Sequence, residues 1–332
     1  MAQDTRNPNI MFLGTGDPDG NDTKGGGVFK SVDRGKNWTI VPQSIGNFEV
    51  IPSMLVTPDS SYVFAASFTG LWKSKDAGVT WRKVLGTGVT GSASDKFWRV
   101  QYMGNGLVYA CTESAIFKST LGGEVGTWTK IVQTSWSRME MCAAPSDPNT
   151  IYCVGAEGGR GSAVKRTTNG GTNWTDMPRI PFRDGCGGNP STTDFTRGQV
   201  WYDLTLIVAP NNPNHIWVGG IDQHRSLDGG LNWEQMTAWA GPCNNPPIAY
   251  AHADQHGVLF EPGNPNVLYL GTDGGLFRVN NPAAIGRASI DDKNLGYVTT
   301  QFYGCAIHPD SGTHHFLAGA QDNGTLLVRN AP

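Results

Sequence analysis

The chain is poor in charge and has no basic stretch. Only 16% of its 332 residues are Asp, Glu, Lys or Arg, the formal net charge is −3, and lysines and arginines form no run longer than two. A polyanion-binding surface requires clustered cations, so nucleic acid is not an expected partner. No apolar run approaches the roughly 18 residues of a membrane helix, so no membrane span is expected. The opening MAQDTRNPNI has no signal-peptide core. A mature form would have lost its leader, so a secreted, extracellular or cell-surface location remains the expectation. Six cysteines occur without a CxxC spacing, which disfavours a zinc ribbon or a redox pair. Cys142 and Cys153 flank the turn PSDPNT, and Cys186 and Cys243 lie in two long loops one repeat apart. Both pairs are candidate disulfides, with buried free thiols as the alternative.

Turns and aromatics are what the chain has in quantity: 44 Gly, 20 Pro, 11 Trp, 13 Phe and 9 Tyr. That composition reads as a turn-dense all-β protein. The length can bury a large core without requiring two domains, so residues 1–332 read as one domain or as a segment of a longer one.

One motif recurs: SVDRGKNW from Ser31, SKDAGVTW from Ser74, TTNGGTNW from Thr167 and SLDGGLNW from Ser226, with a degenerate STLGGEVGTW from Ser119. Each copy follows a short strand such as GVFK, GLWK or AIFK, and each Trp opens another. The motif therefore predicts a turn between two strands. Asp33, Asp76, Asn169 and Asp228 accept turn N–H groups, and glycine takes the conformation other residues resist. Two further strands precede each copy, one reading IMFLGTGD, YVFAASF or VLYLGTD, the other YDLTLIVAP or HADQHGVLFEP. Seven such units predict a β-propeller of about seven four-stranded antiparallel blades. The first unit starts at its second strand and the last stops at its third, so the terminal blades are expected to be incomplete. Bare blade edges invite pairing, so self-association through them is a candidate contact.

The motif resembles the Asp-box, or BNR repeat, of sialidases, sortilin-type receptors and xyloglucanase-like glycoside hydrolases. The resemblance implies a propeller and places the Asp-boxes away from any active site. The stretch from HADQH through TDGGLF to AQDNGT also resembles large secreted bacterial repeat proteins of this kind.

In an up-and-down blade the start of the first strand and the turn after the second share one face. That rule gathers Asp17, Glu113, Glu157, Asp222, Asp273 and Asp322 on one rim, with Trp201, Tyr202, Phe302 and Tyr303 as stacking platforms and the loops 176–200 and 237–250 beside them. His252, Asp254 and His256 alternate along a strand. Residues four apart are about 13 Å distant there, so at most two adjacent members plus a neighbouring acid would ligate one ion. No cofactor is required, and Ca²⁺ or another divalent metal is the candidate ligand of this rim. The leading expectation is a secreted, non-catalytic propeller that binds protein or glycan or serves in an extracellular assembly. The alternative is a xyloglucanase-like glycoside hydrolase with paired carboxylates, drawn from Asp273, Asp222 and Asp17. A sialidase is disfavoured: PRIPF at 178–182 has the letters of that family's N-terminal motif but lies mid-chain.

Overall fold

The computed structural model describes residues 1–18, 23–89, 94–187, 189–296, 302–307, 309, 316–320 and 325–328. Among them are six four-stranded antiparallel sheets, each formed by four consecutive strands. Blade 1 holds β1–β4 (Ala2–Gln3, Met11–Gly14, Val28–Ser31, Thr39–Ile40) and blade 2 holds β5–β8 (Ser53–Val56, Val63–Ser67, Gly70–Ser74, Arg82–Leu85). Blade 3 holds β9–β12 (Phe97–Tyr102, Val108–Thr112, Ala115–Ser119, Thr129–Gln133) and blade 4 holds β13–β16 (Met139–Ala144, Asp147–Glu157, Arg160–Thr167, Thr175–Asp176). Blade 5 holds β17–β20 (Thr205–Val208, Ile216–Gly219, Gln223–Ser226, Glu234–Gln235) and blade 6 holds β21–β24 (Gln255–Glu261, Asn264–Thr272, Gly275–Asn280, Ser289–Asp292). A three-stranded sheet follows, β25–β27 (Phe302–Ile307, Phe316–Ala320, Thr325–Val328).

The propeller therefore shows six complete blades, not the seven expected. The expected gap at the first blade is filled by β1, which pairs Ala2 with Phe12 and Gln3 with Met11. Two residues are too few to show an alternating pattern, so β1 is invisible to sequence reading.

Successive strand residues point to opposite faces, and in blades 2 to 5 apolar residues of both faces are buried. Phe64 and Leu71 of blade 2 meet Phe97, Val108 and Phe117 of blade 3. The alternate residues of blade 3, Tyr109, Cys111 and Ile116, meet Met139, Ile151 and Cys153 of blade 4. Tyr152, Val154 and Val164 then face Leu206, Ile216 and Val218 of blade 5, and Trp217 faces Phe260, Leu268 and Leu270 of blade 6. Blades 2 to 5 are thus each the wall of two apolar layers, and blades 1 and 6 each border one. This alternation corrects one cysteine expectation. Cys142 pairs with Tyr152 and Met141 with Cys153, so the two thiols lie in different layers and are free and buried. Cys186 and Cys243 are joined, with their Cα atoms 5.2 Å apart.

The recurrent turns have the anticipated chemistry. Ser74 Oγ donates to Asp76 Oδ1 at 2.8 Å and accepts from Gly78 N at 2.8 Å, while Asp76 accepts from Thr80 N at 2.8 Å. Ser31 with Asp33, Thr167 with Asn169, and Ser226 with Asp228 repeat the arrangement. The residue before the motif glycine is also left-handed, with φ of 63° at Arg34 and 53° at Ala77. That geometry turns its carbonyl toward the preceding blade, where a basic side chain takes it. Lys30 Nζ donates to Ala77 O at 2.7 Å, Lys73 Nζ to Gly122 O at 2.6 Å, and Lys118 Nζ to Gly170 O at 3.3 Å. Lys73 is buried, also meets Glu124 at 2.6 Å, and lies 3.5 Å from the centre of the Tyr62 ring.

Hydrogen bonds to charged groups contribute about 1.5–3 kcal/mol each. Lys73→Ala is expected to lower the unfolding free energy by an amount in that range in urea denaturation, whereas Lys75→Ala, whose side chain is 61% accessible, is expected to have a much smaller effect.

Candidate functional site

The rim is built by two loops and the strand ends they cover. Loop 176–200 folds on Asp194, whose Oδ1 accepts from Gly161 N at 3.0 Å and Thr196 Oγ1 at 2.7 Å and whose Oδ2 accepts from Gly198 N at 2.7 Å. The Cys186–Cys243 bond ties this loop to loop 237–250. Asp222 ties them a second time. It is buried, and it accepts from Arg197 Nη2 at 3.0 Å, Gln235 Nε2 at 3.1 Å and Trp239 N at 2.8 Å. A carboxylate so enclosed has no oxygen left for a substrate. Asp222 therefore clasps the two loops, and burial, opposed by Arg197 and the Trp239 N–H, pushes its carboxyl up to about 7.

Asp273 differs. It sits after β22, partly accessible, accepting from Tyr202 Oη at 2.8 Å and meeting His256 Nε2 at 2.7 Å. Partial burial works against its ionisation, but the hydrogen bonds from His256 and Tyr202 together outweigh burial and hold the carboxyl below its ordinary range. The Tyr202 ring stands edge-on to His256 at 4.6 Å and tilts against the half-exposed Trp201 at 5.5 Å. Beside Asp273, Gly274 lies against His252, leaving no room for a β-carbon, which would come within 2.3 Å of the ring.

Behind this cluster is a second pair of acids. Asp254 is buried, has φ of 62°, and accepts from Gln199 Nε2 at 3.1 Å. Asp203 is fully buried, and apart from the bond the two carboxyls share, neither of its oxygens has a partner among the described residues. Burial first, then the Asp254 charge and that shared bond, push the Asp203 carboxyl far above the ordinary value, so it is a neutral acid at pH 7.

The other expected positions are dispersed. Asp17 is exposed at the end of β2 and Tyr303 is exposed on β25. Glu113 accepts from Ser94 Oγ at 3.1 Å, and Glu157 pairs with Arg179 at 2.9 Å. Asp322 lies outside the described residues. His252, Asp254 and His256 do not converge: their polar ends go to Ala253 O, to Gln199 and to Asp273, respectively. Among the described residues, no three His, Cys, Asp or Glu side chains gather to hold a metal ion.

Sequence reading missed Asp203, Gln255 and Arg138, all buried. A signal was available. Each stands seven residues before the proline that follows a blade's first strand: Pro145, Pro210 and Pro262. A polar residue recurring at one register position of an apolar strand marks the inner edge of the ring.

No family model matches the chain. Curated xyloglucanases do, and they are its homologues. It is 27% identical over 283 residues to a xyloglucanase of Paenibacillus sp, covering 73% of this chain and 26% of that protein. It is 25% identical over 297 residues to a xyloglucanase of Acetivibrio thermocellus, covering 72% of this chain and 32% of that one. Over 278 residues it is 28% identical to a xyloglucanase of Hypocrea jecorina, with 66% and 30% covered. The chain thus spans only about a quarter to a third of these relatives' length. In fold it is similar to the GH74 enzyme of Niastella koreensis, at TM-score 0.66 and 21% identity, over 99% of this chain and 51% of that one. The GH74 xyloglucanase of Xanthomonas campestris gives TM-score 0.67 at 17% identity, over 98% and 51%.

A carboxyl kept protonated by the fold favours folding at low pH. That advantage is lost as pH rises from the ordinary carboxylate value near 4 toward its raised folded value. Melting temperatures of the native chain and of Asp203→Asn, measured across this range, are expected to diverge in favour of the variant as pH rises. Parallel curves would mean that Asp203 is ionised in the fold.

Proposed function

We propose that this chain is a glycoside-hydrolase-like propeller that works on a polysaccharide outside the cell, with Asp273 as its lead carboxylate. The observation that carries the reading is the Tyr202–Asp273–His256 cluster. It presents an acid held in its ionised form beside a half-exposed aromatic, in a chain whose curated homologues are xyloglucanases. Those homologues favour hydrolysis over the purely binding or structural propeller that composition and fold suggest by themselves.

Glycoside hydrolysis takes one carboxylate and one carboxylic acid across the scissile bond. An ionised Asp273 suits the carboxylate role, drawing a proton from the attacking water as its oxygen bonds to the anomeric carbon. Trp201 and Tyr202 supply flat apolar faces of the kind on which sugar rings stack. The substrate class we assign is a β-glucan backbone of the xyloglucan type.

The test is release of reducing ends from xyloglucan by the purified chain. Asp273→Asn is expected to lower the rate at least about 100-fold, the scale on which a single acid–base group acts, while Glu157→Gln leaves it within about twofold of the native rate. Absence of release by the native chain, or an unimpaired Asp273→Asn variant, would contradict the hydrolytic reading.

A further inference from the structure

A cavity of about 190 Å³ lies against the first strands of blades 3 to 6, lined in part by Trp98, Arg99, Arg138, Glu140, Tyr202 and His256. It has room for several waters, a small molecule or one sugar ring.

Its charges are unevenly used. Arg138 is held in place: its guanidinium stacks on Trp98 at 3.5 Å and Nη1 donates to Met139 O and Glu140 Oε1, each at 2.9 Å, while its buried Nε has no partner among the described residues. Arg99 is not. Its nearest acid contact is Nε to Glu140 Oε2 at 3.6 Å, beyond hydrogen-bond range. Among the described residues its side chain donates no hydrogen bond, and it is 37% accessible. Two guanidiniums thus share one carboxylate, leaving one positive charge and a planar set of N–H donors facing a small cavity. A guanidinium matches a carboxylate bidentately.

We propose that this cavity is a carboxylate-binding site with Arg99 as its anchor. Glu140 holds the two arginines in register, and Trp98 and Tyr202 form the walls against which the body of the ligand packs. The ligand is a small molecule or terminal sugar that carries one carboxylate. Tyr202 and His256 line this cavity and also hold Asp273, so an occupant would sit next to the rim cluster. The inference does not depend on hydrolysis, and a hydrolytically silent chain would leave it intact.

Calorimetric titration of the full chain at low salt with D-glucuronate, D-glucose and acetate tests it. Glucuronate is expected to bind at least about tenfold more tightly than glucose, as one charge-assisted pair implies. Arg99→Gln is expected to erase that difference while leaving the circular dichroism and melting temperature near native values, and Arg99→Lys to retain part of it. Glucuronate tighter than acetate would identify a sugar acid, and equal binding would identify a small organic acid; both support the site. Glucose binding as well as glucuronate, no measurable binding of either acid, or undiminished discrimination in Arg99→Gln would overturn it. If Arg99→Gln fails to fold, the native chain's preference for acid over neutral sugar and the Arg99→Lys titration still decide the matter.

Discussion

The fold rests on the burial of both faces of the central blades, 2 to 5. A strand such as Val108–Thr112 is inaccessible along its whole length, because alternate residues are claimed by the blades on either side. Polar chemistry is disfavoured mid-strand under that constraint, since an unpartnered polar group there costs about 1–3 kcal/mol; the buried His224 of β19, with no partner for either ring nitrogen among the described residues, is an exception. Otherwise polar chemistry is displaced to strand ends and turns. At one end the displacement produces the serine–aspartate turns and the lysine clamps that lock each turn to its neighbour. Nearer the opposite end it produces the acids and arginines of the rim and channel.

The rim acids do different work because their surroundings differ. Asp194 and Asp222 are enclosed by N–H donors and hold loops. Asp203 meets only another acid and stays neutral. Asp273 is open to solvent on one side and held by a phenol and an imidazole, which leaves it ionised and reachable. The same residue type at similar strand-end positions thus yields a clasp, a buried acid and a candidate reagent. The loops that organise these groups are held together twice, by Asp222 and by the Cys186–Cys243 bond, so the rim is a rigid surface rather than a set of independent loops.

Much of the fold was legible in the sequence because its signals are local. The S/T-x-D-x-G spacing needs only its own hydrogen bonds, and the unbroken apolar run of YVFAASF declares a strand buried on both sides. The loop disulfide was readable from equivalent positions one repeat apart. What escaped depends on registers and partners. β1 is two residues long. Cys142 and Cys153 looked like cross-strand partners, but a one-residue offset sends them to opposite layers. Asp222 and Asp273 are indistinguishable as Asp beside a turn, and only Arg197, Gln235 and Trp239, brought from elsewhere in the chain, separate them. Arg99 and Arg138 were invisible because isolated arginines in apolar strands carry no motif. The count of seven second strands overstated the six complete blades for a related reason: a strand signal says nothing about how many partners it finds.

The claim most open to direct test is that the Asp273 rim, and not the turn face with its serine–aspartate motifs, receives a glycan. A crystal structure of the chain soaked with a xyloglucan oligosaccharide addresses it without relying on turnover. The account predicts sugar rings on Trp201 and Tyr202 with a hydroxyl or glycosidic oxygen at Asp273. An oligosaccharide bound on the opposite face, among the turns around Asp33, Asp76 and Asp228, would contradict it.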